Sequence, residues 1–409
     1  MLEKPTVLII FALTYLGLAA GRVPGLKLDR TGIAMLGAIS IMIFGGQAAT
    51  EVVGYIHWPT ILLLFGFFVL SAQLRLSGFF DAVAVAVARR LEHPARFLLV
   101  LMLATAGLSA FMNHDIICLV FTPIVATALL RRGLNPVPFL VALAIASNIG
   151  AAATLVGNPQ DMMIAQIGEL SFGRYSLWCI IPVLFALACA YAIIWIMSRG
   201  HLAVSEKAAK IPSDTPHPYD RSHTVKGLVI LAIVVGLFFT SLPKELVALT
   251  AAAIHLASRK YHTEELLKLV DWPILVLFMS LFVVTGAFEA TDYGARAVTW
   301  LERQSVHLES PWILVLVTAT LSNLVNNSAA VMLLLKVADV AQPPAAYVLA
   351  LANSFGGSLI IVGSVSNIIV VQQARELGIT ISFREFARLG IPVTAAALAG
   401  LVVWVSLMI

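Results

Sequence analysis

Residues 137–168 read VPFLVALAIASNIGAAATLVGNPQDMMIAQIG, a stretch with no Lys or Arg and with short polar and helix-breaking residues gathered in its middle. As one straight helix it would run about 48 Å at 1.5 Å per residue, well beyond the ~30 Å hydrocarbon core of a bilayer. Asn148, Gly150, Gly157, Asn158 and Pro159 predict instead a helix broken near the midplane. Unwound backbone at that depth is tolerated only where protein buries it or where it lines a cavity. Residues 344–376, PAAYVLALANSFGGSLIIVGSVSNIIVVQQARE, repeat the pattern with Asn353, Gly356, Gly357, Gly363 and Asn367.

The surrounding composition fits this reading. Of 409 residues, 60% are hydrophobic and 12% charged, against roughly 25% charged in an ordinary soluble domain. That excludes a water-soluble globule, and collagen-like, coiled-coil and disordered chains as well. What remains is an all-α polytopic membrane protein. Cys118, Cys179 and Cys189 sit alone in apolar runs, and the histidines show no metal-ligand spacing, so no metal and no cofactor beyond a coupling ion is expected. The net charge of +4 reads as topology marking rather than as affinity for nucleic acid.

The two halves of the chain resemble each other. His57-Trp58-Pro59 answers to Asp271-Trp272-Pro273, and Leu108-Ser109 to Leu321-Ser322. Residues 156–164, VGNPQDMMI, match residues 362–370, VGSVSNIIV, and Ser171-Phe172 with Ile181-Pro182 matches Ser382-Phe383 with Ile391-Pro392. A duplication is expected: a first repeat at 1–200, a polar Pro-rich linker at 201–225, and a second repeat at 226–409. The runs 97–130 and 311–337 are too long for one crossing and too short for two, which predicts a re-entrant hairpin in each half.

Each repeat then has five transmembrane helices plus one hairpin, with a broken helix at the midplane, and the odd number of crossings makes the repeats inverted. On that topology 20 Lys and Arg collect on one face and 6 on the other. The richer face is expected to be cytoplasmic, with the central linker inside and both termini outside an inner, plasma-type membrane. The apolar N-terminus mimics a signal peptide, but Val23-Pro24 after its helix parallels Leu242-Pro243, so it is read as a retained span. Segments 79–93 and 291–304 read as amphipathic connectors, and Lys336 as a residue that snorkels to the surface.

Inverted repeats with broken helices place a solute near the midplane, among helix N-termini that suit anions and free carbonyls that suit cations. The polar side chains there are Ser109, Asn113, His114 and Asp115 in the first hairpin, and Ser147, Asn148, Thr154, Asn158, Gln160 and Asp161 in the first break. The second half contributes Ser322, Asn323, Asn326, Asn327 and Ser328, then Asn353, Ser354, Ser358, Ser364, Ser366 and Asn367. Asp115 aligns with Ser328 and Asp161 with Asn367, so both intramembrane acids lie in the first half. An intramembrane carboxylate is costly and therefore a functional candidate. Asp115 and Asp161, with Ser109 and Asn148, are expected to serve the coupling cation; the alternative is that the two acids only cap helix N-termini or stay protonated within a hydrogen-bond network.

At these clusters the chain resembles the ion transporter superfamily of arsenite permeases, NhaD-type antiporters and citrate transporter-like permeases. The residues carrying the resemblance include Asn113-His114-Asp115, Ser147-Asn148-Ile149-Gly150, Gly157-Asn158-Pro159, Asn323-Leu324-Val325-Asn326-Asn327 and Val362-Gly363-Ser364. The resemblance implies a scaffold and a moving transport part, a homodimer, and a substrate site at Asn113, Asn148, Thr154, Asn158, Asn323, Asn326, Asn327, Asn353, Ser364 and Asn367. His114 departs from the family pattern by separating Asn113 from Asp115, as do Gln160 and Asp161 after the Gly157-Asn158-Pro159 turn.

The function expected is secondary transport of a small anion, a carboxylate or oxyanion, coupled to Na+ or H+. Its partners are the anionic solute, the lipid bilayer and a second copy of the chain. Two rivals share the fold: a Na+/H+ antiporter, in which the acids bind the sole cargo, and an arsenite efflux permease. An enzyme is not expected, because no nucleophile–base or metal constellation is evident.

Overall fold

Proline and short polar side chains set the helix boundaries. Pro59, Pro94, Pro138, Pro159, Pro273 and Pro311 each stand in the first turn of a helix, where the missing N–H costs nothing. Asp29, Asp220 and Asp271 accept backbone N–H bonds as N-caps.

The computed structural model describes residues 3–21, 25, 27–200, 218–258, 260–294, 296, 299, 303, 308, 310–337 and 343–408. They form an all-helical protein. The first half contains α1 (Glu3–Ala20), α2 (Arg30–Phe44), α3 (Ala49–Gly54), α4 (Trp58–Leu76), α5 (Phe79–Ala88), α6 (Pro94–Ser109), α7 (His114–Arg131), α8 (Val137–Ala151), α9 (Pro159–Ile167) and α10 (Phe172–Ser198). The second contains α11 (Arg221–Leu237), α12 (Lys244–Leu256), α13 (Thr263–Lys268), α14 (Trp272–Glu289), α15 (Pro311–Val325), α16 (Asn327–Val337), α17 (Pro343–Gly356), a 3-10 turn (Ile361–Gly363), α18 (Val365–Glu376) and α19 (Phe383–Met408). Most of the expected linker and half of the connector at 291–304 lie outside the described residues. The segment at 79–93 begins with the helix α5, which buries Phe80, Asp81, Ala84 and Val87.

Five of the described helices, α4, α7, α10, α14 and α19, are long and apolar enough to cross a membrane. α10 and α19 pack on each other and leave Leu177, Ile181, Leu184, Ile391, Val403 and Leu407 exposed. An apolar outer face of this kind is what lipid would cover. Inside, α2 packs on α14 and α4 on α12, α6 on α8 and α15 on α17, and α7 on α18 and α9 on α16. Glycine permits the close backbone approach in both the α6–α8 and the α15–α17 pair. A Cβ on Gly150 would lie 2.3 Å from the Ala106 Cα, and one on Gly356 would lie 2.9 Å from the Ala319 Cα.

α6 and α7 meet in a turn at 110–113, and α15 and α16 meet at Asn326; α8 gives way to irregular backbone before α9, and α17 does so before α18. These four interruptions fall at the polar clusters singled out from the sequence. Lys336 at the end of α16 pairs with Glu289 at 2.6 Å.

Candidate functional site

Each interruption starts a new helix, and a short polar side chain sits at each start. Asn113 caps α7: its Oδ1 accepts the Asp115 N–H at 2.9 Å. That places the Asp115 carboxyl, buried, in the first turn of α7, where the dipole favours negative charge. Asn158 caps α9 in the same manner. Its Oδ1 accepts the Asp161 N–H at 2.7 Å, and its Nδ2 donates to Asp161 Oδ2 at 2.8 Å and to Ser354 Oγ at 3.1 Å.

Ser364 precedes α18 in extended conformation, but no side chain caps that helix. The Ser364 hydroxyl instead donates to Asn148 Oδ1 at 2.9 Å. Asn148 Nδ2 in turn donates to Asn367 Oδ1 at 2.9 Å, while Asn367 Nδ2 bonds the carbonyls of Gly357 at 2.7 Å and Ile360 at 2.9 Å. Thr154 donates to the Ala110 carbonyl, tying the first break to the first turn. Asn323 donates to the Gly356 carbonyl at 2.8 Å, which ties the second pair likewise.

Asn326 stands at φ +89°, ψ 148°, a region essentially reserved for glycine. A residue held there costs of order 1–3 kcal/mol and persists only where its surroundings over-determine it. Its Oδ1 accepts the Ser328 N–H at 3.4 Å.

The bonds between halves are reciprocal. Asn158 bonds Ser354 and Ser364 bonds Asn148; the positions 158 and 364, and 148 and 354, are each 206 apart. Ser366 donates to Asp115 Oδ1 at 2.6 Å, and Gln160 donates to Ser328 Oγ at 2.7 Å. Gln160 aligns with Ser366 at the same offset, and Asp115 is the aligned partner of Ser328. Each half therefore bonds the other through equivalent positions. The acids differ from the sequence picture in one respect: Asp161 sits at the N-terminus of α9, but Asp115 is delivered across to α18, so each broken helix receives one carboxyl group.

The thirteen residues expected from the sequence to hold the substrate or the coupling cation all lie on these four interruptions or the helix ends beside them. Asn148, Ser364 and Asn367 form one bonded group, Asn158 and Asp161 a second, and Asn113 and Asp115 a third. Ser109, Asn327 and Asn353 are buried and contribute oxygens without a hydrogen-bond partner in the protein, as do Asp161 Oδ1 and Asn323 Oδ1. Buried polar atoms are rarely left unpaired, and carboxyl, amide and hydroxyl oxygens are each of the type that water or a hard cation can satisfy. Asn113 Nδ2 and His114 Nδ1 are the unpaired nitrogens beside Asp115. His114 Nε2 lies 3.6 Å from Asp115 Oδ1.

Two residues enter only through tertiary structure. Arg30, at the start of α2, donates from Nη2 to the Val362 carbonyl at 3.3 Å, two residues before Ser364. In the sequence its charge is absorbed into the topology count, and no local pattern separates it from the other basic residues. Asp271 stands one residue before the spanning helix α14 and caps it, accepting the Ile274 N–H at 3.2 Å. Its carboxyl is pushed up to about 6, first by burial and then by the nearby Asp115. Its alignment with His57 was a signal that a charge stands where the other half has none at neutral pH.

Comparison with known proteins places this site in context. The family model CitMHS, described as citrate transporter, matches residues 7–348. A 46 kDa membrane protein of Mycobacterium leprae is 32% identical, with 98% of each chain covered. The silicon efflux transporter LSI3 of Oryza sativa is 26% identical over 87% of each chain. Among solved structures, the Alcanivorax borkumensis YdaH transporter superposes with a TM-score of 0.62 at 15% identity, covering 99% of this chain and 97% of that one. At that identity the likeness concerns the fold.

Proposed function

Because the chain belongs to the CitMHS citrate transporter family, we propose that it is a secondary active transporter that moves a small carboxylate or oxyanion, coupled to Na+ or H+. The observation that carries the reading is at α18. That helix N-terminus has no side-chain cap, Arg30 reaches the backbone just before it, and the only carboxyl group bonded to its first turn among the described residues is Asp115. An uncapped helix N-terminus beside a guanidinium attracts an anion. While Asp115 is ionised it occupies that position itself. A proton or Na+ taken up by Asp115 cancels its charge and leaves the α18 N-terminus and Arg30 to the solute, which couples cation to anion in one step.

The same reading takes the halves as inverted repeats, each with a re-entrant hairpin (α6–α7 and α15–α16) and a broken helix (α8–α9 and α17–α18). The reciprocal bonds between halves, and the match of α2–α14 packing to α12–α4 packing, support it. The 20-to-6 split of basic residues supports a cytoplasmic linker and external termini. Domain limits at 1–200, 201–225 and 226–409, an elevator-like transport part and a homodimer complete the proposal.

The test is uptake into proteoliposomes of a panel of labelled carboxylates and oxyanions under imposed Na+ and H+ gradients. Anion uptake that rises with one cation gradient and loses that dependence in Asp115→Asn is the expected result. Cation exchange with no anion flux would overturn it in favour of an antiporter. A second reading, efflux of a neutral oxyacid, is favoured by the absence of any Lys or Arg within the four interruptions and by the relative named as a silicon efflux transporter. Flux of such a solute indifferent to Arg30→Gln would select it.

A further inference from the structure

A cleft of about 800 Å³ opens away from the polar breaks, between the end of α4, α5, the second half of α7 and α18. Its charged lining is four guanidiniums, Arg75, Arg89, Arg131 and Arg132, against one carboxyl, Asp81. Among the described residues none of the four arginines makes an ion pair; Arg132 Nη1 donates to the Leu91 carbonyl at 3.1 Å. The cleft shares no lining residue with the four interruptions.

The position of these arginines is regular. Arg75 is in the last turn of α4, Arg89 follows α5, and Arg131 ends α7, so all three mark helix C-termini, two of them on helices long and apolar enough to span. Cations there complement the dipole. Beyond them the lining turns apolar, with Val85 from α5 and Val120 and Ile124 from α7. A small water-soluble anion would neutralise the guanidiniums but leave that wall against water. An anionic glycerophospholipid satisfies both ends, with phosphate on the arginines and acyl chain along the wall. The volume lies within the ~300–1,000 Å³ of ordinary ligand pockets, and basic pockets between membrane helices hold such headgroups elsewhere.

We propose that this cleft is a binding site for an anionic phospholipid, seated between α5 and the α7–α18 pair through Arg75, Arg89, Arg131 and Arg132. α7 carries Asp115 at its other end, and α18 carries Ser366. The lipid therefore packs against the two helices that the Asp115–Ser366 bond joins. The site depends on the membrane setting and not on which solute is carried.

Purified, delipidated protein is incubated with phosphatidylglycerol or with phosphatidylcholine of the same chains, and retained lipid is read by native mass spectrometry in the absence of any solute. Phosphatidylglycerol is expected to be retained at least about tenfold better. Arg131→Gln/Arg132→Gln should weaken retention about 30-fold, as loss of two arginines near an anionic headgroup implies. Arg131→Lys/Arg132→Lys, which keeps the charge, should retain most of it and guards against a folding defect. Arg384→Gln/Arg388→Gln, outside the cleft, should change nothing. Equal retention of the two lipids, or no effect of the Gln pair, would overturn the proposal. Displacement by excess inorganic phosphate would overturn it too, marking a free-anion site. Failure of cation-coupled transport leaves these outcomes untouched, so the two readings fail separately.

Discussion

Ser366, at the start of α18, donates its hydroxyl to the carboxylate of Asp115, at the start of α7, at 2.6 Å across 251 residues of chain. The bond joins the first-half turn to the second-half break, and it puts an acidic group at a helix N-terminus whose own sequence has none. Ser366 thereby holds the Asp115 carboxyl against the start of α18. The aligned pair, Gln160 and Ser328 at 2.7 Å, is neutral.

Asp115→Asn keeps an oxygen acceptor for Ser366 but removes the charge. Uptake by this variant should no longer rise with an imposed Na+ or H+ gradient, measured in proteoliposomes beside wild type. Ser366→Ala leaves a buried carboxylate short of a donor and should lower stability by about 1–3 kcal/mol, read as a fall in melting temperature. The double variant should deviate from additivity by more than ~0.5 kcal/mol. Additive effects would mean that the two side chains do not act together.

Gln160→Ala or Ser328→Ala breaks the neutral counterpart. Each should cost about 1 kcal/mol and leave the cation dependence of uptake as it is in wild type. A lost gradient response in either variant would argue against placing the coupling at Asp115.

Arg30→Gln retains a donor for the Val362 carbonyl and removes the guanidinium charge. For an anionic solute KM should rise roughly tenfold, about 1.4 kcal/mol, with a smaller effect on maximal rate. An unchanged KM for every transported anion would remove Arg30 from the solute path.

Gly150→Ala and Gly107→Ala separate close packing from helix propensity. A Cβ at 150 meets the Ala106 backbone at 2.3 Å, whereas one at 107 meets nothing within 4 Å. The first should destabilise by about 1–3 kcal/mol and the second should be neutral or stabilising by up to ~1 kcal/mol. Melting curves in detergent would decide, and equal shifts would contradict the α6–α8 contact.

Asp220 supplies a pH dependence outside the membrane. Lys260 bonds its carboxylate, which is held well below the usual carboxylate range, with the His223 N–H and the Ser222 hydroxyl adding to the effect. The Asp220 N–H also donates to the Ser77 carbonyl at 2.9 Å, so the group ties α11 to the end of α4. A folded-state pKa below the unfolded one stabilises above the unfolded value, and the contribution disappears as pH falls through the folded value. Melting temperature should therefore show no step from this group between pH 5 and 8 and should fall in strong acid. Asp220→Asn should flatten that acid limb, and an identical acid limb in the variant would assign it to other groups.

Much of this was legible in the chain itself. Proline at helix starts, Asn and Asp at caps, and Gly with Asn inside apolar runs mark the four interruptions, because those residues act on the backbone within a few positions. Arg30 was not legible as a site residue. Its guanidinium meets Val362 only after α2 has packed on α14, and nothing near residue 30 in sequence distinguishes it. Asn326 was singled out for its polarity, but its positive φ is imposed by the turn between α15 and α16 and not by its neighbours in sequence.

By itself, the sequence determined that this protein is an all-helical membrane chain with polar interruptions at four places, since hydropathy and helix breaking are local properties. It left Asp115 and Asp161 together in one half. Only the tertiary structure decided that Asp115 bonds α18 of the opposite half, that α9 and α18 each have one carboxyl group at their first turn, and that Arg30 stands beside the start that no side chain caps. Such pairings join positions hundreds of residues apart. They depend on how helices cross, which is a property of packed surfaces rather than of any single segment.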